Sequence, residues 1–275
     1  MLIHDQHVHS DYSFDSKQNI EKYLAFAKKL GLNYFILTDH CDLNYLDKGK
    51  DIFFDLEKQN SELVDLQNKF KEIKILRGIE IGYKPSEIGR IKKIISSTNF
   101  DLINFSLHES DGIDYYFTSE FEKFGIEKTL TNYFRREFEA ISNFADFDVF
   151  CHLDYGFKTA FLANNKLRIS DYEEDLTKIM NVLIRNEKAL EINIKVQSVL
   201  PLEHTKYILS LYKKLGGKYL TLSSDAHEIA FFRHDFDKYI KLIKESGFDS
   251  LTYFVKREKK LLKLWGKMRF FVFSI

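Results

Sequence analysis

The sequence predicts an α/β fold of parallel strands and covering helices, and three observations carry that reading. Short apolar runs alternate with helix-length segments about seven times along the 275 residues. The runs are apolar nearly throughout rather than at every second position, as expected for a parallel sheet covered on both faces. Only two prolines occur, and no low-complexity tract or linker interrupts the pattern. A closed barrel of roughly seven or eight units is the economical arrangement, with an open doubly wound sheet as the alternative. A chain of this length builds one substantial core, so residues 1–275 are expected to form a single domain.

The strand-like runs are 2–9, 34–38, 73–81, 101–107, 148–153, 189–194 and 219–223. Between them, 19–30 carries Ile20, Leu24 and Ala27 at helical spacing and stops at Gly31. Segments 52–70, 87–95 and 130–144 follow, then 172–184 behind a Ser170 cap. The segment 202–215 ends at Gly216-Gly217, and 230–246 ends at Gly247. The terminal stretch 269–275 reads as an extra strand sealing one end.

Composition narrows the function classes. Lys plus Arg and Asp plus Glu balance at 41 each, so nucleic acid and anionic membranes gain no overall attraction. Two cysteines are too few for a disulfide scaffold. No basic leader precedes an apolar run, and no apolar stretch is long enough to span a bilayer. A cytoplasmic protein is expected.

Chemistry collects at the strand ends. The first run closes with His7-Val8-His9, and on a strand residues i and i+2 share a face, so the two imidazoles project side by side. Asp15 follows after a turn. Later runs close with Thr38-Asp39-His40, Gly78-Ile79-Glu80, Ser106-Leu107-His108, Cys151-His152-Leu153-Asp154 and Ser224-Asp225-Ala226-His227. One histidine at a strand end is ordinarily a hydrogen-bonded structural residue. Six of nine at that edge, with Glu80 and Asp225, are a constellation, and this edge is where α/β folds bind ligands. Imidazole and carboxylate ligands favour Zn, Mn or Fe, and so many imply two or three divalent ions with Glu80 as a bridge. Clustered ions generate a hydroxide nucleophile and clamp a phosphoryl group.

These motifs, with Glu191-Ile192-Asn193 and Gly216-Gly217-Lys218, resemble the polymerase-and-histidinol-phosphatase (PHP) family, and within it the histidinol-phosphate phosphatases. The resemblance runs from residue 1 to about 255. It implies a distorted (β/α)7 TIM-like barrel with a trinuclear site at the C-terminal ends of the strands. By that resemblance His7, His9, Glu80 and Asp225 hold one ion, Glu80, His108 and His152 a second, and Asp15, His40 and His227 a third. It also implies hydrolysis of a small phosphorylated substrate, L-histidinol phosphate, in histidine biosynthesis, by a metal-bridging hydroxide. Asp154 or water would protonate the leaving group.

Lys158 and Lys195 stand near the same edge, where related phosphatases tend to carry arginine. They are candidate phosphate contacts, acting as point charges rather than bidentate forks, and Tyr116 is a candidate pocket wall with Tyr115. Cys151 reads as core. His4, His204 and His234 lie outside the motifs. Two rival functions stand beside this one: a phosphatase for another small phosphate, or a phosphodiesterase or 3′–5′ exonuclease acting on nucleotides, and a non-catalytic metal-binding regulator. Oligomeric state is left open by the sequence.

Overall fold

The computed structural model describes residues 5–264. Twelve strands follow in chain order: β1 (Tyr34–Leu37), β2 (His40–Tyr45), β3 (Lys50–Phe53), β4 (Lys74–Gly82), β5 (Leu102–Ser106), β6 (Glu109–Ser110), β7 (Ile113–Asp114), β8 (Val149–Phe150), β9 (Ala189–Asn193), β10 (Leu220–Ser223), β11 (Ser250–Val255) and β12 (Glu258–Lys263). The parallel order β10-β9-β8-β5-β4 continues onto β1 and β2. Those last two are successive halves of one run along β4, with Tyr34 opposite Lys74 and His40 opposite Glu80.

Residues 5–9 close the circle. Val8 bridges Ala226 in parallel, Asp225 N–H donates to His7 O, and His9 N–H donates to Ala226 O. On the other flank Thr38 N–H donates to Val8 O. Seven parallel runs therefore close on themselves, as the barrel expectation requires. Within the described residues 5–9 the first run is a single bridge rather than a regular strand, and residues 2–4 of the strand expected over 2–9 lie outside the described residues.

Local chemistry explains the elements. Asn19 caps Ile20–Lys29 by accepting from Glu21 N–H, and Asp55 caps Leu56–Lys69 by accepting from Glu57 and Lys58 N–H. The helix expected over 52–70 thus starts after β3, which pairs antiparallel with β2. The segment expected as 130–144 is longer and broken into Thr118–Phe124 and Ile126–Asn143 at Gly125, whose φ of 90° interrupts the helix. Ser170 sits inside a 3-10 turn and does not cap Glu173–Arg185, which starts at Tyr172 without a side-chain cap. The helix expected over 230–246 covers only Phe236–Glu245. A helix at Tyr155–Ala163, directly after the fifth motif, has no counterpart in the sequence reading.

The barrel floor is closed by the β11–β12 hairpin. Phe254 and Val255 join Ile36, Leu76, Leu102, Val149 and Ala189 in one buried cluster. Arg257 pairs with Asp146 and Asp148 at the N-terminal end of β8. The sealing strand expected over 269–275 lies outside the described residues, and the hairpin does this work. No helix among the described residues is long and apolar enough to cross a membrane.

Candidate metal centre

At the opposite end of the barrel, Glu80 is fully buried and ringed by five imidazoles. Its Oε2 lies 2.8 Å from His40 Nδ1, 3.4 Å from His7 Nε2 and 3.5 Å from His9 Nε2. Its Oε1 lies 3.1 Å from His108 Nε2 and 2.9 Å from His152 Nε2. Asp225 Oδ1 is 3.3 Å from His9 Nε2 and 3.9 Å from His7 Nε2. On the outer side, Asp15 stands 3.0 Å from His227 Nε2 and 3.6 Å from His40 Nε2. All nine residues singled out in the sequence as metal ligands therefore meet at one strand edge.

The outward ring nitrogens are held by partners that fix the tautomers. His7 Nδ1 donates to Glu191 Oε1 at 2.8 Å, and His108 Nδ1 to Asp42 Oδ1 at 2.7 Å. His9 Nδ1 bonds Ser13 Oγ at 3.0 Å, whose own hydroxyl donates to Asp39 Oδ1. Each arrangement turns an Nε2 lone pair inward, as partners of metal-binding histidines do. Asp39 also accepts from Ser10 N–H, Ser10 Oγ and Gln59 Nε2. Asp5 binds Ser224 N–H and Oγ and so ties the first run to the last motif.

Whether cations fit is decided by what these atoms lack. His7 Nε2, His9 Nε2, His40 Nδ1 and Glu80 Oε2 are buried without any hydrogen bond. Although His40 Nδ1 and Glu80 Oε2 are close, they are not aligned to bond. Buried polar atoms left unpaired are costly, and here they point at common points. Three groups have ligand atoms close enough to share an ion, two of imidazoles with a carboxylate and one of imidazoles alone: His7, His9 and Asp225; His40, Glu80 and His108; His9, His40 and His227. His9 and His40 thus each belong to two groups, where the sequence reading placed each in one. A fourth, His7, Cys151 and Glu191, includes a thiol that burial pushes well above its ordinary range.

The electrostatics are those of a site built for positive charge. Burial opposes protonation of His7, yet Glu191, Glu80 and Asp225 outweigh it and raise its pKa well above the usual value. Burial likewise opposes His40, and Glu80 with Asp15 raises it to about 10. Burial would push Glu80 and Asp225 up, but His7, His108 and His40 around Glu80, and Lys195 and His7 around Asp225, hold both carboxylates well below their ordinary range. His152 and Asp225 also adopt left-handed backbone, φ 27° and 53°. Such strain in non-glycine residues collects at functional sites.

The remaining candidates divide. Lys195 Nζ lies 3.1 Å from His227 Nδ1 and 3.5 Å from Asp225 Oδ1. Lys158 Nζ sits over the rings of Tyr155 and Tyr116, at 4.3 and 5.6 Å. Tyr116 is largely exposed, whereas Tyr115 is buried in the core. Asp154 is directed away from the imidazoles, its Oδ2 2.6 Å from both His204 Nε2 and Gln197 Nε2. Burial opposes its charge, but His204 and Gln197 hold it below the usual carboxylate range. A carboxyl held ionised is a poor proton donor, so this geometry weighs against Asp154 as leaving-group acid.

Sequence reasoning passed over Asp5, Asp42 and the part played by His204. Asp42 carried a faint signal, since it follows a strand-end motif; nothing in the sequence pairs it with His108. His234 lies beside Asp235 away from the cluster, and His4 is outside the described residues.

The model of the PHP domain matches residues 5–195. The chain belongs to the PHP domain family. It is 32% identical over 267 residues to a protein called histidinol-phosphatase from Lactococcus lactis subsp. lactis, covering 94% of this chain and 98% of that one. A probable histidinol-phosphatase from Clostridium acetobutylicum is 27% identical over 263 residues, 95% of this chain and 99% of that one. Among solved structures, the Lactococcus lactis histidinol phosphate phosphatase complexed with zinc, L-histidinol and phosphate superposes with a TM-score of 0.79 at 28% identity, covering 92% of this chain and 97% of that chain. The PHP barrel inferred from the sequence is thus the fold of this chain.

Proposed function

We propose that this PHP protein is a metal-dependent phosphomonoesterase that hydrolyses L-histidinol phosphate to L-histidinol and phosphate in histidine biosynthesis. The observation that carries the reading is the convergence of five imidazoles on buried Glu80, with the inward nitrogens of His7, His9 and His40 left unpaired. Near-full-length likeness to histidinol-phosphatases supports the choice of substrate.

His7, His9, Glu80 and Asp225 would hold one cation, Glu80, His108 and His152 another, and Asp15, His40 and His227 a third, with His40 within reach of the second as well. Zinc is favoured by the ligand chemistry and by the zinc held in the solved relative. Two or three divalent cations there would supply Lewis acidity, neutralising phosphoryl charge and making water a competent nucleophile near neutral pH. The chain's own residues do the positioning. Glu191, Asp42 and Ser13 aim the imidazoles, while Lys158 and Lys195 offer positive charge to the phosphate and Tyr116 walls the approach. Residues 1–275 act as one catalytic unit in this reading.

The test is phosphate release from L-histidinol phosphate by protein loaded with zinc, manganese or iron, beside a nucleoside monophosphate and a phosphodiester. Selective turnover of histidinol phosphate is expected. Preference for a nucleotide or diester would shift the substrate class, and no turnover with bound metal would leave a non-catalytic metal protein.

A further inference from the structure

Lys195 is carried by Ile194–Gln197, a helix of 4 residues. A single turn has no stability of its own, so the side chains at its two ends decide where it lies. At its start, Asn193 accepts from Val196 N–H, and its Nδ2 donates to Asp225 Oδ2 at 3.2 Å and to Glu191 Oε2 at 3.1 Å. At its end, buried Gln197 donates from Nε2 to Asp154 Oδ2 at 2.6 Å and accepts at Oε1 from Thr205 Oγ1 at 2.7 Å. Lys195 stands between these anchors, with its Nζ 3.5 Å from Asp225 Oδ1.

The grip on Gln197 has one arrangement. A carboxylate only accepts, so the amide nitrogen must face Asp154, and the amide oxygen is left for the threonine hydroxyl. His204 Nε2 donates to the same Asp154 Oδ2 at 2.6 Å, and its ring lies 5.0 Å from that of Phe157 on Tyr155–Ala163. Asp154 O accepts from Lys158 N–H at 2.8 Å in the first turn of that helix. One buried carboxylate therefore ties the turn that bears Lys195 to the helix that bears Lys158. Lysine needs such a frame more than arginine does. Its ammonium is a point charge on a flexible stem, without the fork by which arginine aligns itself on a phosphate. Its place has to come from the backbone beneath it.

Resting on the phosphomonoesterase reading, we propose that Gln197, held by Asp154 and Thr205, is a positioning residue that sets the Lys195 ammonium where the phosphate binds. Asp154 serves this arrangement as an acceptor of hydrogen bonds and gives up no proton in it.

The test measures the affinity of zinc-loaded protein for inorganic phosphate by calorimetry, in wild type, Gln197→Met, Lys195→Ala and the double variant. Methionine keeps the helix preference of glutamine but can grip neither partner. Expected is phosphate binding about tenfold weaker in Gln197→Met, with zinc content unchanged. Adding Gln197→Met to Lys195→Ala should cost less than about twofold more, because no ammonium is left to misplace. Asparagine at position 154 still offers one carbonyl oxygen where Oδ2 now takes both donors. Asp154→Asn should therefore keep phosphate affinity within about threefold and still turn over L-histidinol phosphate, whereas Asp154→Ala should lose affinity about as Gln197→Met does. The same loss from Gln197→Met with and without Lys195, or unchanged affinity in Gln197→Met, would overturn the proposal. So would zinc-loaded wild type that binds no phosphate. Wild type that binds phosphate but leaves L-histidinol phosphate intact would instead end the phosphomonoesterase reading, with the comparison of phosphate affinities still standing.

Discussion

Replacing Glu191 with glutamine tests whether the outer partners of the imidazoles matter. Glu191 is almost fully enclosed and accepts on both oxygens: His7 Nδ1 at Oε1, and His152 N–H with Asn193 Nδ2 at Oε2. An amide has one acceptor oxygen, so either orientation of the new side chain turns an NH2 group toward a donor. One buried donor is then unpaired, costing about 1–3 kcal/mol. If the oxygen stays on His152, His7 loses the partner that fixes its tautomer, and metal affinity should fall about 10–100-fold. If it stays on His7, the strained backbone at His152 loses its anchor. Zinc competition against a chromophoric chelator, with thermal unfolding of the metal-free protein, reads both effects. A melting temperature lowered by roughly 2–4 °C per kcal/mol is expected. Zinc affinity within about twofold of wild type and an unshifted melting temperature would refute the reasoning.

Glu80→Gln should lose metal and turnover together by more than about tenfold, measured by metal analysis and phosphate release, and full activity would rule out the metal-holding role proposed for it. Chelator treatment should abolish turnover, and zinc titration should restore it at two or three equivalents. Glu137 supplies a pH test remote from the metals. Burial, despite the Tyr133 hydroxyl, raises it well above its usual value. Its folded form therefore favours the proton, and stability is lost as pH rises above the unfolded value of about 4.5. Glu137→Gln should melt about 2–4 °C higher near pH 7.5, with the gap closing near pH 4, and an equal gap at both would contradict the argument. His204→Ala leaves buried Asp154 short of a donor and should cost about 1.5–3 kcal/mol in urea unfolding.

The barrel and the residues that converge at its edge were legible because they depend on local signals. Continuous apolar runs mark buried parallel strands, and the i, i+2 spacing of His7 and His9 or Asp225 and His227 places both side chains on one edge. What escaped was pairing across the sheet. Asp42 meets His108 across β4, and Asp5 meets Ser224 through closure of the barrel, and no residue spacing encodes either. Asp154 looked like a free acid because it follows His152 in its motif; His204, fifty positions later, holds it. The charged hairpin β11–β12 reads as exposed along Glu258–Lys263, and only its other strand carries the apolar residues that enter the barrel floor.

Gly82 shows how tightly the outer partners are set. A Cβ there would lie 1.9 Å from Asp42 Oδ1, so even alanine would push away the carboxylate that orients His108.

The seam between residues 5–9 and 224–227 gives the cluster a place in time as well as space. His7 and His9 are made first and Asp225 and His227 among the last, and the two ends are joined by one backbone bridge and a few hydrogen bonds. A growing chain cannot bring these residues together until β10 and the motif after it have arrived. Cations spanning that junction would then act as a clasp, so that acquiring them coincides with closing the barrel and removing them loosens it first at the seam. Amide exchange at Val8 and Ala226, followed with and without zinc, should show the largest protection there, and uniform protection across the barrel would contradict the idea.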